Sequence, residues 1–136
     1  MHASATFTVH DWTPTSVVPA PEVVTGTPIG VATMRKVFTG AINGQSSTVF
    51  SAAFDQSTGT GTYLALEAFS GEVDGRDGTF AFAHSATTAG TDRSSPFFVL
   101  VPGSGTGELA GITGTGELIV DTDGTHRLEL DYVLDA

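Results

Sequence analysis

The sequence predicts an all-β protein that forms a single closed antiparallel barrel of about eight strands. Short segments of alternating polar and apolar residues indicate strands, and polar, glycine-containing turns separate them. No long run rich in Leu, Glu and Lys indicates a helix. A sheet of about eight strands avoids exposed edges by closing on itself. The length suits one domain with one core, so we expect residues 1–136 to form a single β-barrel domain.

The alternation places the strands in chain order. We expect them over residues 4–12, 27–39, 46–54, 62–69, 79–85, 96–101, 114–120 and 126–134. Prolines at 14, 19 and 21 remove backbone donors, so residues 13–24 are expected to form an extended connection that crosses the barrel or covers one end. The Asn43-Gly44 pair and residues 71–78, GEVDGRDG, are turn signals, and residues 86–95 are expected to form a polar loop.

Residues 101–116, VPGSGTGELAGITGTG, contain six glycines and predict a tight corner that joins two barrel strands. The alternating glycines superficially suggest phosphate binding. No helix is expected after them and no Lys follows, so neither a P-loop nor a dinucleotide-binding turn is indicated.

Composition excludes several classes of function. Fifteen acidic and five basic residues give a net charge of −10, which leaves no basic footprint for nucleic acid and disfavours anionic membrane surfaces. No apolar run is long enough to span a bilayer, and the first residues do not predict a signal peptide. The chain has no Cys and no pair of His residues at metal-site spacing, so we expect neither disulfide nor metal nor other cofactor. Tolerance of a reducing compartment makes the cytoplasm the expected location.

Several motifs, in their order along the chain, resemble the bacterial family called DUF3224. They are F-x-V-x-x-W near the start, FTGAINGQS, YLALEAFSGEVDGRDGTFAFAH, VPGSGTGELAGITGTG and GTHRLELDYVL. They cover nearly the whole chain, and the run from Ser104 to Gly111 is the most specific. The resemblance implies a barrel like that of plant allene oxide cyclase, in a group that includes dirigent proteins and natural-product cyclases. It also implies a homo-oligomer, dimer or trimer, but it transfers no catalytic residue.

Glu67 is the sharpest candidate for chemistry. It alternates in phase with Tyr63, Ala65 and Phe69, so a lumen-facing strand face would place a carboxylate among aromatic rings. Desolvation there would raise the pKa of Glu67 and suit it to general acid–base catalysis. The alternatives are that this face points outward, or that Glu67 pairs with a buried Arg.

Three other residues are candidates to assist Glu67. His84 and His126 are potential proton shuttles near neutral pH, although each lies at the end of a predicted strand, where solvent-exposed histidines are common. Arg35 is a candidate cation to balance Glu67 or to bind a ligand carboxylate or enolate; a surface Arg with a packed stem is the simpler interpretation. The expected substrate-contacting residues are Tyr63, Phe69, Phe82, Trp12, His126 and Tyr132. Core packing is the commoner role of the aromatic ones.

Three functions fit this pattern. The first is a cofactor-free isomerase or cyclase that acts on an apolar, natural-product-like small molecule in the lumen, with Glu67, His84 and Arg35 as catalytic residues. The second is a non-catalytic small-ligand binding protein with the same cavity. The third is a structural, oligomeric barrel whose core is filled by Phe and Leu. The resemblance favours the first.

Overall fold

The structure, a computed structural model that describes residues 1–134, is all-β apart from one short 3-10 turn in the part of the chain that it describes. Eight antiparallel strands form a nearly closed barrel. The strands are β1 (His2–Pro14), β2 (Ile29–Gly40), β3 (Ile42–Asp55), β4 (Thr60–Val73), β5 (Arg76–Ala89), β6 (Asp92–Leu100), β7 (Thr113–Val120) and β8 (His126–Val133). The predicted fold class is confirmed.

The barrel is interrupted at a single seam. The strand order is β6-β5-β4-β3-β2-β1-β8-β7, so consecutive strands pair, and β1 pairs with β8 to join the beginning and end of the chain. The edges β6 and β7 face each other without a backbone ladder. The Thr115 hydroxyl donates a hydrogen bond of 3.1 Å to the carbonyl of Phe98 across this seam. The two edges therefore approach closely at Phe98 and Thr115, although the first six residues of β6 are exposed.

One half of the barrel is solidly packed. Here, at what we call the packed end, β1 begins, β8 ends and inward-facing phenyl rings fill the interior. Phe69 lies at the centre of this packing, with ring centroids 5.7 Å from Phe38 and 5.0 Å from Phe80. Burial of these rings supplies much of the hydrophobic driving force for folding.

The glycine-rich run joins β6 to β7 and closes the packed end of the barrel. It joins two strands as predicted, but the prediction that it forms a tight corner is wrong. After β6, residues 101–112 follow the first half of β5, where the Thr106 amide donates to the Thr79 carbonyl at 2.8 Å. The 3-10 turn Gly107–Leu109 then carries Leu109 into the core, where it is fully buried. A Cβ added at Gly105 would lie 2.1 Å from the Leu109 carbonyl oxygen, so this glycine permits close backbone approach. The run is a plug for the barrel.

Strands β4 and β5 are longer than predicted. Only Asp74 and Gly75 separate them, with φ of 49° and 80°, which suits a two-residue hairpin turn. Strand β5 continues to Ala89, so most of the predicted loop over residues 86–95 is strand. The Ala, Gly and Asp residues of this run are weak strand signals, and backbone pairing with β4 and β6 holds most of the run extended. As a result, His84 lies in the interior of a strand.

The other end of the barrel, the open end, contains the functional features. Strands β2 to β5 extend here beyond the short strands β7 and β8. The connection over residues 15–28 is mostly exposed, and Val23 and Val24 are 74% and 87% exposed. From this connection only Thr15 and Pro28 line the cavity described below, so most of it does not cover the open end as expected.

Candidate functional site

A cavity of about 570 Å³ lies at the open end. Its walls are mainly apolar, and of the described residues that line it, none is charged. Phe50 stacks on Tyr63 with centroids 5.3 Å apart, and Trp12 meets the edge of Phe50 at 5.4 Å. The volume falls within the range of roughly 300–1,000 Å³ that is typical of small-molecule sites.

A bulge in β1 helps to form this wall. The register between β1 and β2 shifts between His10 and Thr13, and Asp11 adopts a positive φ of 59°. Such bulges bend a strand and redirect its side chains. Trp12, within the bulge, is thereby placed to line the cavity. Val9 is exposed, so the simple alternation ends before this point.

Glu67 lies below the cavity in a buried polar cluster. Its side chain is fully buried, and three groups contact its carboxylate. Lys36 Nζ lies 2.6 Å and His84 Nε2 lies 2.5 Å from Oε2, while the Ser46 hydroxyl donates to Oε1 at 2.7 Å. The antiparallel register of β2 to β5 brings these inward positions together.

The cluster continues from His84 to the cavity wall. His84 Nδ1 lies 2.9 Å from the Tyr63 hydroxyl oxygen, which accepts a second hydrogen bond of 2.6 Å from Arg93. The Arg93 guanidinium also lies over the Tyr63 ring, 5.3 Å from its centroid. Tyr63 therefore belongs both to the cavity wall and to a chain of polar contacts that ends at Lys36. We call these five residues (Lys36, Glu67, His84, Tyr63 and Arg93) the buried relay; Lys36, Glu67 and His84 are buried, and Arg93 at the outer end is exposed.

Glu67 is ionised, contrary to the expected effect of its burial. Desolvation by itself raises the pKa of Glu67, but the hydrogen bond from His84 and the charge of Lys36 outweigh it and lower the pKa to about 2. The expectation of a raised pKa is therefore wrong, and the alternative of a buried ion pair is nearer to the structure, with Lys36 in place of an Arg. Glu67 is an anion that accepts hydrogen bonds, and it is not a proton donor at neutral pH.

The ionised Glu67 sets the direction of every hydrogen bond in the relay. Burial lowers the pKa of His84, with a further contribution from the Lys36 charge, so the ring is neutral at neutral pH. A neutral ring beside a carboxylate donates from Nε2, which leaves Nδ1 as an acceptor. The Tyr63 hydroxyl must then donate to Nδ1, and its oxygen accepts from Arg93. Burial raises the pKa of Tyr63 despite the opposing effect of Arg93, so this proton is present at neutral pH.

The cation that balances Glu67 is Lys36, so the suggested role of Arg35 as that cation is wrong, and its simpler interpretation as a surface Arg is correct. Arg35 lies on the outer face of β2, where its side chain is 43% exposed and pairs with Asp11 at 3.1 Å. Side chains alternate along a strand, so the next residue, Lys36, points inward. The apolar neighbours Ala32, Met34 and Phe38 share its face, and this pattern was the available signal for Lys36.

The structure does not bring all of the other predicted residues to the cavity. Trp12 and Tyr63 line it, whereas His126 is exposed at the start of β8 and packs against Phe7, 5.3 Å between centroids. Three further predicted contacts lie in the packed core because their strand positions fall below the relay or at the packed end: Phe69, Phe82 and Tyr132. Burial, together with the carboxylate of Asp74 that accepts its hydrogen bond, raises the pKa of Tyr132 to about 12. Tyr132 is therefore a structural donor.

Within residues 1–134 the structure contains neither a cluster of potential metal ligands nor a helix that could span a membrane. No group of three or more His, Cys, Asp or Glu side chains in that range is arranged to hold a metal ion. Likewise, no helix in the described part of the chain has the length and apolar character needed to cross a membrane.

The fold and site define a small β-barrel with an apolar cavity at one end and a buried ionic relay beneath it. The family model described as "Protein of unknown function (DUF3224)" matches residues 3–132, and the chain belongs to this family. The chain is similar to a protein with unknown function from the DUF3224 family of Shewanella oneidensis MR-1, whose crystal structure was determined at 1.84 Å resolution. The TM-score is 0.86 at 26% identity, and the alignment covers 100% of this chain and 98% of that chain. No curated protein matches this sequence.

Proposed function

We propose that the cavity binds an apolar small molecule and that the buried relay transfers a proton to and from it, which makes the protein a cofactor-free isomerase. One observation carries this proposal: Tyr63 lines the cavity and is hydrogen-bonded to His84, which in turn contacts Glu67. This sequence of groups has the order of a catalytic triad, in which a carboxylate orients a histidine and the histidine acts on a hydroxyl.

The proposed step begins with a ligand that carries an acidic C–H bond next to a carbonyl. The Tyr63 oxygen takes the proton of this bond while its own proton passes to Nδ1 of His84, and the electron pair of the C–H bond moves into an enolate. Glu67 stabilises the resulting imidazolium because its carboxylate lies 2.5 Å from Nε2. The protons then return in the opposite direction, and delivery to a different carbon gives an isomer. Proton transfer by a positioned group of this kind contributes about 10²–10⁴-fold to the rate.

The aromatic wall supports the binding part of the proposal. Trp12, Phe50 and Tyr63 offer flat apolar surface that holds a ligand by burial and dispersion. A ligand held next to Tyr63 reacts in an effectively unimolecular step. The resemblance to allene oxide cyclase-like barrels agrees with such a function, although likeness of fold alone is a weak argument for activity.

Binding without chemistry is the second candidate function. Burial raises the pKa of Tyr63, and this favours binding without chemistry. A phenol with a raised pKa keeps its proton, so it can contact a ligand in the cavity wall but gives up a proton less readily. The third function requires a core that side chains fill completely. Only the packed end has such a core, since the open end contains the cavity.

The experiment measures exchange of ligand protons with solvent. Carvone, an apolar cyclic ketone with an unsaturated bond, is incubated with the protein in D2O, and deuterium uptake beside its carbonyl is followed by NMR. We expect wild-type protein to accelerate exchange, and Tyr63→Phe and His84→Gln to bind carvone but to lose roughly 10²-fold or more of the acceleration. His126→Gln is the matched control and retains it. Wild-type binding without exchange would establish the second function, and exchange by Tyr63→Phe at the wild-type rate would exclude the relay.

A further inference from the structure

We infer that the natural ligand is an apolar acid whose aromatic or hydrocarbon body fills the cavity and whose carboxylate binds Arg93. This inference rests on the proposed function for the cavity and adds the chemical class of the ligand.

Arg93 differs from most other cations of the chain in lacking a carboxylate partner. Arg35 pairs with Asp11, Lys36 with Glu67, and Arg127 with Asp121 and Glu129. Among residues 1–134, Arg93 and Arg76 form no ion pair, and Arg76 lies beside Tyr132 at the packed end. Arg93 is exposed and does not line the cavity itself, but its guanidinium contacts Tyr63, which does, so a ligand in the cavity can supply the anion that Arg93 lacks.

The position of Arg93 suits this role. It pairs with Thr88 across β5 and β6, and Thr88 lines the cavity. Within the described residues its guanidinium makes a single hydrogen bond, to the Tyr63 hydroxyl. A guanidinium carries five N–H donors in a planar fork that matches a carboxylate. Most of these donors therefore remain available, next to the hydroxyl assigned to proton transfer.

The local charge also favours an anion. The buried relay contains two cations, Lys36 and Arg93, and one carboxylate, Glu67, so it carries one positive charge within a chain of net charge −10. The distant acidic residues are screened beyond about 8 Å at physiological ionic strength. Arg93 and Glu117 both line a second cavity of about 200 Å³ at the seam. Repulsion by Glu117 favours binding of the ligand carboxylate on the Tyr63 side of Arg93.

A matched pair of ligands tests the inference by calorimetry. The probes are 2-naphthoate and 2-naphthylmethanol, which share an aromatic body and differ in the acid group. We expect wild-type protein to bind the acid at least tenfold more tightly than the alcohol. Arg93→Gln should lose this preference and bind the alcohol within about twofold of wild type, because the cavity wall is unchanged. Arg35→Gln, which removes a cation on the outer face, should behave as wild type.

The outcomes separate the two proposals. Equal binding of both probes by wild-type protein, or a preference that survives in Arg93→Gln, would overturn the inference that the ligand is an acid bound by Arg93. The proposal that the cavity binds an apolar molecule would be unaffected. If neither probe binds wild-type protein, the proposed function of the cavity fails, and the inference fails with it.

A separate observation concerns the outside of the barrel. We infer that two copies of the chain associate through the outer face of β3 to β6. The outward residues there, which we call the outer patch, are positions 45, 47, 49, 51 and 53 of β3, 62, 64, 66, 68 and 70 of β4, 79, 81, 83, 85 and 87 of β5, and 97 and 99 of β6. None of them is charged. Val49, Leu64, Leu66 and Phe97 are each 54–60% exposed.

Charge and size both favour a second copy as the partner. Two chains of charge −10 repel each other unless they meet at a face without acidic residues, and the outer patch provides one. Three strands of nine residues and a fourth of three, spaced about 4.8 Å apart with about 3.3 Å for each residue, give a projected area of roughly 480 Å². The accessible area of such a patch approaches the roughly 800 Å² that each partner buries in a standard interface. The small Ala and Ser residues between the apolar ones permit close packing of one sheet on another.

Light scattering coupled to size exclusion tests this association at physiological salt. Wild-type protein is expected to have the mass of a dimer, and Leu66→Glu to be a monomer with an unchanged circular dichroism spectrum. Val120→Glu, a substitution at an equally exposed residue on β7, is the control and should remain dimeric. A monomeric wild-type protein, or a dimer that survives Leu66→Glu, would overturn the inference.

Discussion

Arg35 and Lys36 are consecutive residues that hold ion pairs on opposite sides of the barrel wall. Nε of Arg35 lies 3.1 Å from Asp11 in solvent, and Nζ of Lys36 lies 2.6 Å from Glu67 in the interior. An exposed pair contributes about 0–1 kcal/mol, whereas removal of one member of a buried pair leaves an unpaired charge and costs about 3–5 kcal/mol. The same strand therefore provides a test and its control.

Lys36→Met should lower the free energy of unfolding by about 3–5 kcal/mol, and Arg35→Met by less than about 1 kcal/mol. Urea denaturation measures both. The double variant Lys36→Met, Glu67→Leu should recover much of the loss, because apolar residues can replace a buried pair at little cost. Equal effects of the two single substitutions would show that Lys36 does not neutralise a buried carboxylate.

The sequence indicates the interior position of Glu67 better than the identity of its partners. Alternation grouped Glu67 with Tyr63 and Phe69 but left open whether that face is the lumen, and the structure places both Glu67 and His84 inside. In β2, Arg35 lies on one face and Lys36 on the other, so alternation alone does not indicate which of them points inward. The choice depends on which face contains Ala32, Met34 and Phe38, and on the pairing of β2, β3 and β4, which no local pattern contains.

Features that arise from chain pairing were the least predictable. Arg93 lies in a stretch of Thr, Asp and Ser that resembles a loop, and it is in a strand because β5 continues to pair with it. Trp12 lines the cavity after a bulge that no residue pattern marks. By contrast, the barrel itself was predictable, because alternation and turn residues recur along the whole chain.

The tautomer of His84 follows from the charge on Glu67. We expect the neutral ring at pH 7.5 to carry its proton on Nε2, since Glu67 can only accept a hydrogen bond. Long-range proton–nitrogen correlation spectra of labelled protein distinguish the tautomers. Tyr63→Phe should keep the proton on Nε2 and shift the Nδ1 resonance, since it removes the hydroxyl that donates to this atom. A ring protonated on Nδ1 would contradict the hydrogen-bond directions on which the relay depends.

Acid should destabilise the protein in two ranges. The folded-state pKa of His84 is lowered from 6.5 by burial, so its contribution is present above pH 6.5 and is lost as the pH falls below that value. The folded-state pKa of Glu67 is lowered from 4.5 to about 2, against the effect of burial, by His84 and Lys36. The stabilising contribution of Glu67 is therefore full above pH 4.5 and is lost as the pH falls towards 2. The loss from Glu67 lowers the free energy of unfolding by about 3 kcal/mol.

Denaturation as a function of pH tests these ranges. His84→Gln should flatten the decline just below pH 6.5 and reduce, without abolishing, the decline below pH 4.5, because Lys36 still lowers the pKa of Glu67. His2 acts in the opposite direction, because hydrogen bonds to Asp131 and Glu129 raise its pKa in the folded state, and its contribution is lost as the pH rises. The measurements should therefore use a His2→Gln background. A decline just below pH 6.5 that persists unchanged in His84→Gln would assign it to another group.

The plug at the packed end should tolerate no side chain at Gly105. A Cβ there would lie 2.1 Å from the Leu109 carbonyl oxygen, so Gly105→Ala must displace the turn that buries Leu109 and should cost about 1–3 kcal/mol or more. Gly26→Ala is the control, because nothing lies within 4 Å of its added Cβ. Thermal unfolding compares the two variants. A neutral Gly105→Ala would mean that the run packs loosely and does not close the barrel.

Thr48 provides the last test, because its hydroxyl is the one buried side-chain polar atom among the described residues without a hydrogen-bond partner. It lies opposite Glu67 in the β3–β4 register and is 2% exposed. Leaving such a group unsatisfied costs about 1–3 kcal/mol, so Thr48→Val, which exchanges the hydroxyl for a methyl group of similar size, should raise the free energy of unfolding by up to that amount. Thr33→Val, on the exposed face of β2, is the control and should change it by less than about 0.5 kcal/mol. A loss of stability in Thr48→Val would show that a bound water satisfies this hydroxyl beside the relay, and the relay would then include that water.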